Sequence, residues 1–204
     1  IKCSRTRDQK MKTYNLFIVE LEKTINDTIT TDSGLELYID TKMDDMGEFN
    51  YRVTEGPVVA IPFKYETGVK EGDTLYFHHL VVMQDGQRLT GEDNNYFVRY
   101  DEKHALNNQA IAYKCQNTGE IKPLAGWSLL EQVEQKKKVT SDLIEVVSLK
   151  EELPTQGRVA FMAPWIEELG LKVGDVVGFQ ENRDYRIKID GQEYYRTRTE
   201  DLLY

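Results

Sequence analysis

A chain of 204 residues with a formal net charge of -9 has room for one large domain or two of about a hundred residues each. Charged residues make up 30% and the balance is acidic, which runs against a nucleic-acid partner, since such proteins ordinarily carry a basic face. Mean hydropathy is -0.57, and no apolar run approaches the roughly 18 residues of a membrane span, so no membrane partner is expected.

Residues 1–10 are basic and polar and lack the apolar core of a secretory signal. Residues 1–13 read as a solvated tail or as an arm for a partner, and Ile1 in place of Met leaves open where translation begins. The run YNLFIVEL at 14–21 is apolar and β-branched, as a buried strand would be; PVVAI at 57–61 reads the same way. TLYFHHLVVM at 74–83 is long enough to pass into a hairpin. Its turn is expected at Gln84-Asp85-Gly86-Gln87, because Asp-Gly tolerates the positive φ of a tight turn. YFVRY at 96–100 alternates, 101–108 is polar with room for a helical turn, and 110–114 offers a short strand.

The polar cluster Gln116-Asn117-Thr118-Gly119-Glu120 reads as a linker. Strands are expected again at 127–133, 158–162, 176–179, 185–189 and 193–198, with a tight turn at Asp190-Gly191. The charged stretch 131–138 marks a strand leaving the core for a solvated loop. Many short strands with regular turn signals point to an all-β barrel or sandwich.

One pattern occurs twice, about a hundred residues apart. Thr54-x-Gly56-x-Val58 is followed by Val69-Lys70-Glu71-Gly72-Asp73, and Thr155-x-Gly157-x-Val159 by Leu171-Lys172-Val173-Gly174-Asp175. A period of that length indicates a duplicated domain, since solenoid units run roughly 20–50 residues. The expected organisation is a tail at 1–13, a first domain at 14–115, a linker at 116–122 and a second domain at 123–204.

No catalytic, metal-binding or cofactor-binding constellation stands out. There is no Gly-rich phosphate loop, zinc spacing or nucleophile motif. His78 and His79 are adjacent in an expected strand, where side chains point to opposite faces, and His104 is isolated. Cys3 and Cys115 are the only cysteines and do not make a disulfide framework; reduced thiols in the cytoplasm are the expectation. Asp44-Asp45 and Glu151-Glu152 read as solvated charge.

Taken in order, the second-half motifs resemble a subunit of the GroES-like co-chaperonin family. Ile121-Lys122-Pro123-Leu124 is similar to the family's opening and Leu129 to Glu134 to its first strand. Thr155-Gln156-Gly157-Arg158-Val159 and Leu171-Lys172-Val173-Gly174-Asp175-Val176-Val177 are similar to its most recognisable stretches. Tyr185 to Ile189 with Asp190-Gly191-Gln192-Glu193-Tyr194-Tyr195 resembles its last hairpin, and Glu200-Asp201-Leu202-Leu203 its close. The first half resembles the family more loosely, through Asn15 to Glu20, Gly56-Pro57-Val58 and Val69-Lys70-Glu71-Gly72-Asp73; residues 101–108 depart from its pattern.

The resemblance implies two tandem GroES-like small β-barrels and a co-chaperonin that caps a GroEL-type chaperonin ring in ATP-dependent protein folding. It implies self-association into a ring and a cytoplasmic location, that of the host if the protein is phage-encoded. It also implies a chaperonin-binding loop after the first strand of each half, here Gly34, Leu35, Glu36 and Leu37, and Leu143, Ile144, Glu145 and Val146. An extended segment of alternating aliphatics suits an apolar groove, although both segments carry a Glu where the family has an aliphatic. Only 63–67 and 165–169 stand where cellular members have a roof hairpin, an arrangement similar to phage co-chaperonins. The long loop 38–53 is a solvated insertion or a partner contact. Because fold does not fix function, the alternative is a non-enzymatic structural or interaction protein, such as a virion surface component, that keeps the barrel without chaperonin binding.

Overall fold

Short runs of β-branched and aromatic residues, separated by Gly-containing turns, fold as antiparallel strands. The computed structural model describes residues 12–31, 33–40, 51–82, 94–104, 107–136, 150–163, 167–168, 170–181, 183 and 185–203. The strands are β1 (Leu16–Glu20), β2 (Thr28–Thr30), β3 (Glu36–Tyr38), β4 (Glu55–Ala60), β5 (Thr74–Phe77), β6 (Asn95–Arg99), β7 (Ala110–Lys114), β8 (Ile121–Pro123), β9 (Trp127–Lys136), β10 (Lys150–Met162), β11 (Val176–Phe179), β12 (Arg186–Ile189), β13 (Gln192–Arg198) and β14 (Leu202–Leu203). Short 3-10 turns at His79–Val82 and Thr199–Asp201 interrupt them. The chain divides into two units, Ile1–Glu120 and Ile121–Tyr204.

In the first unit the strand order is β6-β1-β4-β5-β7, and in the second β12-β13-β9-β10-β11-β14. The pairings within both orders are antiparallel. Taken in chain order, β1, β4, β5, β6 and β7 occupy the same relative places as β9, β10, β11, β13 and β14. The fold is all-β, as expected. Among the described residues neither strand order closes on itself, so the expected barrels stand as open sheets.

The first unit buries Phe17, Val19, Leu75, Phe77, Val98 and Ile111 completely. The second packs Leu130, Val159, Leu171, Val177, Phe179, Tyr195 and Leu202 into one cluster. Each such side chain contributes roughly 1.5–3 kcal/mol by leaving water.

The duplicated Lys-x-Gly-Asp stretch is one turn built twice. Gly72 and Gly174 take φ of 91° and 98°, a region that Cβ disfavours in other residues. The Lys70 amide donates to Asp73 Oδ2 at 2.8 Å, and the Lys172 amide to Asp175 Oδ2 at 2.9 Å. Val58 N–H donates to the Asp73 carbonyl and Val159 N–H to the Asp175 carbonyl, at 2.9 and 2.8 Å. Gly72 and Gly174 donate back to the carbonyls of Val58 and Val159, both at 2.8 Å. The short carboxylate closes the turn and the turn holds β4 in the first unit and β10 in the second, so Gly and Asp recur together.

The other duplicated glycine has a packing reason. A Cβ on Gly56 would stand 2.4 Å from Leu21 Cδ2, and one on Gly157 would stand 2.7 Å from Leu130 Cβ. Each marks where the backbone of β4 or β10 lies tight against the antiparallel neighbour that pairs with it.

Several boundaries differ from the sequence expectation. The expected 74–83 strand stops at Phe77 and bends into the 3-10 turn, which buries Val81 and Val82 by a turn instead of a ladder. Ile121 and Lys122, assigned to the linker, belong to β8. β10 begins at Lys150, well before the expected 158. The Asp190-Gly191 turn forms as expected, with φ of 51° and 80° between the partners Ile189 and Gln192. The turn at 84–87 lies outside the described residues.

Candidate functional site

After β1 the chain leaves its sheet and makes a finger. Side chains along Thr28-Ile29-Thr30 and Glu36-Leu37-Tyr38 point alternately to the two faces of the strands, which pair antiparallel with Ile29 opposite Leu37 and Thr30 opposite Glu36. The finger is a separate two-stranded sheet. At its base Ile39 N–H donates to the Asp27 carbonyl at 2.7 Å. Below that, Asn26 N–H donates to Tyr51 O and Val53 N–H to Thr24 O, at 2.7 and 2.9 Å. Ile25 and Arg52 form a bridge between these bonds.

Among the described residues the Thr31 side chain ties the tip together. Thr31 N–H donates to the Leu35 carbonyl at 2.9 Å, and Gly34 N–H to the Thr31 carbonyl at 2.8 Å. The Thr31 hydroxyl accepts the Leu35 amide at 3.1 Å and lies 2.9 Å from Ser33 Oγ. Gly34 supplies the positive φ, 82°, that the chain reversal needs.

Residues opposite in a ladder share a face, as do residues two apart along a strand. Ile29 and Leu37 therefore share one apolar face, with Leu35 just before β3, and Glu36 lies on the other face with Thr30. The three aliphatics are 53%, 59% and 47% exposed. Of the residues expected at the site, Gly34, Leu35, Glu36 and Leu37 thus fall in one exposed finger, with Glu36 turned from the aliphatics. The middle Glu, which interrupts the motif in sequence, does not interrupt the face. Leu143, Ile144, Glu145 and Val146 lie outside the described residues, in the connection between β9 and β10. Lys136 and Lys150 are ladder partners at the ends of those strands.

Ile29 was missed by the sequence reading. Its signal was available: Thr28-Ile29-Thr30 alternates and sits as far before Ser33 as β3 sits after it.

The polar chemistry elsewhere serves the scaffold. Tyr65 Oη donates to Asp101 Oδ1 at 3.0 Å, and His104 Nδ1 lies 3.1 Å from Asp101 Oδ2. Partial burial pushes the Asp101 carboxyl up, but the hydrogen bonds from Tyr65, His104 and the amides of Lys103 and His104 outweigh it and bring the pKa down to about 2. This carboxylate ties the 62–66 segment to the loop after β6. Beside it runs a groove of about 500 Å³ lined by Ile61, Pro62, Phe63 and Val69, among others. The Cys115 thiol is lowered by hydrogen bonds from the Thr118 hydroxyl and from the amides of Thr118 and Asn117.

The histidines do not face apart as the strand expectation had it. β5 ends at Phe77, and the ring centroids of His78 and His79 are 4.2 Å apart at a 36° tilt. His78 Nδ1 accepts the Leu80 amide at 3.2 Å. Among the described residues no group of three or more His, Cys, Asp and Glu is placed to hold a metal ion. No helix there is long and apolar enough to cross a membrane.

Residues 120–204 match the family profile of the chaperonin 10 Kd subunit. The chain is 31% identical over 87 residues to the co-chaperonin GroES of Halothermothrix orenii, covering 41% of this chain and 93% of that protein. It is 33% identical over 90 residues to the co-chaperonin GroES of Halalkalibacterium halodurans, with 41% and 95% covered. For the co-chaperonin GroES of Clostridium botulinum the figures are 29% over 89 residues, with 41% and 94% covered. With nearly the whole length of those relatives represented and the strand and turn plan described above, the chain belongs to the GroES-like co-chaperonin family.

Proposed function

We propose that the protein is a co-chaperonin built of two tandem GroES-like domains, which caps a GroEL-type chaperonin ring and assists ATP-dependent folding in the cytoplasm. The observation that carries this reading is the exposed aliphatic finger after β1, on a chain whose 120–204 region matches the chaperonin 10 Kd subunit. ATP is hydrolysed by the chaperonin. Gly34, Leu35, Glu36 and Leu37 in the first domain, and Leu143, Ile144, Glu145 and Val146 in the second, are the contact segments.

The tandem reading is supported by the shared strand order and by the turn hydrogen bonds that recur bond for bond in both units. Self-association into a ring follows from the family. Two-domain chains supply an even number of domains, which cannot match a seven-fold ring one to one, so one domain of each chain makes the main contact or the mismatch is tolerated. The short 63–67 segment in place of a roof hairpin supports a phage-encoded form.

Co-elution with a bacterial GroEL-type chaperonin, with and without ATP, tests the reading. A complex that forms in the ATP state is expected. A chain that stays separate from the ring under that condition overturns it.

A further inference from the structure

We propose that the groove along residues 61–71 is a docking site for this chain's own N-terminal segment, with Met11 seated on its apolar lining and Arg7 and Lys10 against its carboxylates. This goes beyond the co-chaperonin reading and does not depend on it. The chain is already fastened at the groove's edge. Thr13 bridges Pro62 in parallel, and the Thr13 hydroxyl donates to the Ile61 carbonyl at 3.1 Å. Phe63 N–H and Lys64 N–H donate to the carbonyls of Thr13 and Tyr14, at 3.0 and 2.9 Å. Lys12, one residue nearer the N-terminus, lines the groove itself. Residues 1–11 therefore join the chain at the groove, and folding back onto it closes only a short loop, at little entropic cost.

The chemistry of groove and segment matches. Ile61, Pro62, Phe63 and Val69 make the lining apolar, and Phe63 is 84% exposed, so covering it removes a large aromatic surface from water. Met11 stands next to Lys12 in the chain, and its unbranched thioether suits an irregular apolar gap. Between 61 and 71 the charged lining residues are Glu66 and Glu71 with Lys70. Residues 1–11 carry Lys2, Arg5, Arg7 and Lys10 against Asp8 alone, on a chain of net charge -9. Opposite charges favour docking over release, most strongly at low salt. A tethered segment also acts at an effective concentration of about millimolar, so contacts too weak to hold a second copy are enough to hold it.

Limited trypsin digestion of the full chain tests this, because Arg7 lies within the segment. Cleavage after Arg7 tracks the undocked fraction when docking is fast relative to cutting, and synthetic peptides of residues 1–12 supply the intrinsic rate for each sequence and salt. The wild-type chain is expected to be cut about tenfold more slowly than its peptide. Met11→Ser and, separately, Phe63→Ser are each expected to restore about tenfold of that rate, as for the loss of one buried apolar side chain. High salt is expected to speed cleavage of the wild-type chain relative to its peptide. Phe63 is exposed and Met11 precedes β1, so circular dichroism of both variants is expected to match wild type. A wild-type chain cut as fast as its peptide overturns the proposal, and so do two variants cut at the wild-type rate. A rate ratio that does not change with salt overturns the charge contacts. Protection that disappears on dilution assigns the groove to a second copy and overturns the proposal as well. None of these readouts involves a chaperonin, so the co-chaperonin reading is tested separately.

Discussion

The same turn is closed twice in this molecule and covered once. Asp73 is 2% exposed and, besides the Lys70 amide, accepts the Gln116 amide on Oδ1 at 2.9 Å. Asp175 accepts the Lys172 amide in the same way but is exposed. In the first unit the chain continues past β7 and lays Gln116 over the turn, where a Cβ on Gly72 would meet the Gln116 Oε1 at 2.7 Å. The local motif is thus sufficient to shape the turn, while its depth in the fold depends on what the chain brings over it. Identical sequence signals therefore carry different energetic weight in the two units.

That difference gives the largest expected effect. Asp73→Ala removes a buried acceptor from two amides and is expected to cost about 2–3 kcal/mol, as for hydrogen bonds to a charged group lost in the interior. Asp175→Ala is expected to cost under about 1 kcal/mol, because water replaces the exposed carboxylate. Chemical denaturation of each single variant measures both. Equal costs would mean that coverage by Gln116 does not matter.

The two duplicated glycines sharpen the comparison in the opposite direction. Alanine at 157 meets Leu130 Cβ at 2.7 Å and the Glu131 carbonyl at 3.3 Å, atoms fixed by the backbone of β9. Alanine at 56 meets Leu21 Cδ2 at 2.4 Å, the end of a side chain that can turn away. Gly157→Ala is expected to lose about 2–3 kcal/mol and Gly56→Ala about 1 kcal/mol, within the usual range for overpacking. Thermal midpoints of the two variants test the order, and a larger loss at Gly56 would reverse it.

A smaller effect belongs to the first unit. Asp101 is held at a pKa of about 2, below its unfolded value of 3.8. A depressed carboxylate contributes stability that is present above the unfolded pKa and is lost as pH falls through the folded one. The link between Tyr65 and the loop after β6 is therefore expected to hold at neutral pH and to weaken between about pH 4 and 2. Tyr65→Phe removes the largest of the hydrogen bonds that lower it, so a carboxyl titration by NMR is expected to show the Asp101 midpoint moving up. An unchanged midpoint would remove Tyr65 from the account.

Much of this architecture was legible in the residues. β-branched runs and Asp-Gly placed β1, β4, β7, β11 and the 190–191 turn, because those signals act over a few residues and agree with the tertiary fold. The repeated Gly-Asp motif foretold a shared turn, and the hydrogen bonds now give its mechanism. The reading failed where a local run had two outcomes. TLYFHHLVVM is apolar enough for a long strand, yet burying Val81 and Val82 requires a 3-10 turn after Phe77. Assuming one strand also set His78 and His79 on opposite faces, whereas the bend brings their rings together.

The candidate site was half legible. Leu35 and Leu37 were found through the family resemblance, but Ile29 joins Leu37 only as a ladder partner eight positions away. Pairing partners of that kind are set by register, and register here follows from a turn held by Gly34 and the Thr31 hydroxyl. Glu36 looked like an obstacle in sequence and is resolved by the pleat.

The central claim is that the β2–β3 finger of the first unit engages a chaperonin. Hydrogen exchange of the full chain, alone and bound to a GroEL-type ring with ATP, tests it most directly. The predicted result is added protection across residues 28–38 in the complex, with the scaffold strands β1, β4 and β5 unchanged. A complex in which 28–38 exchange as fast as in the free chain would contradict the claim.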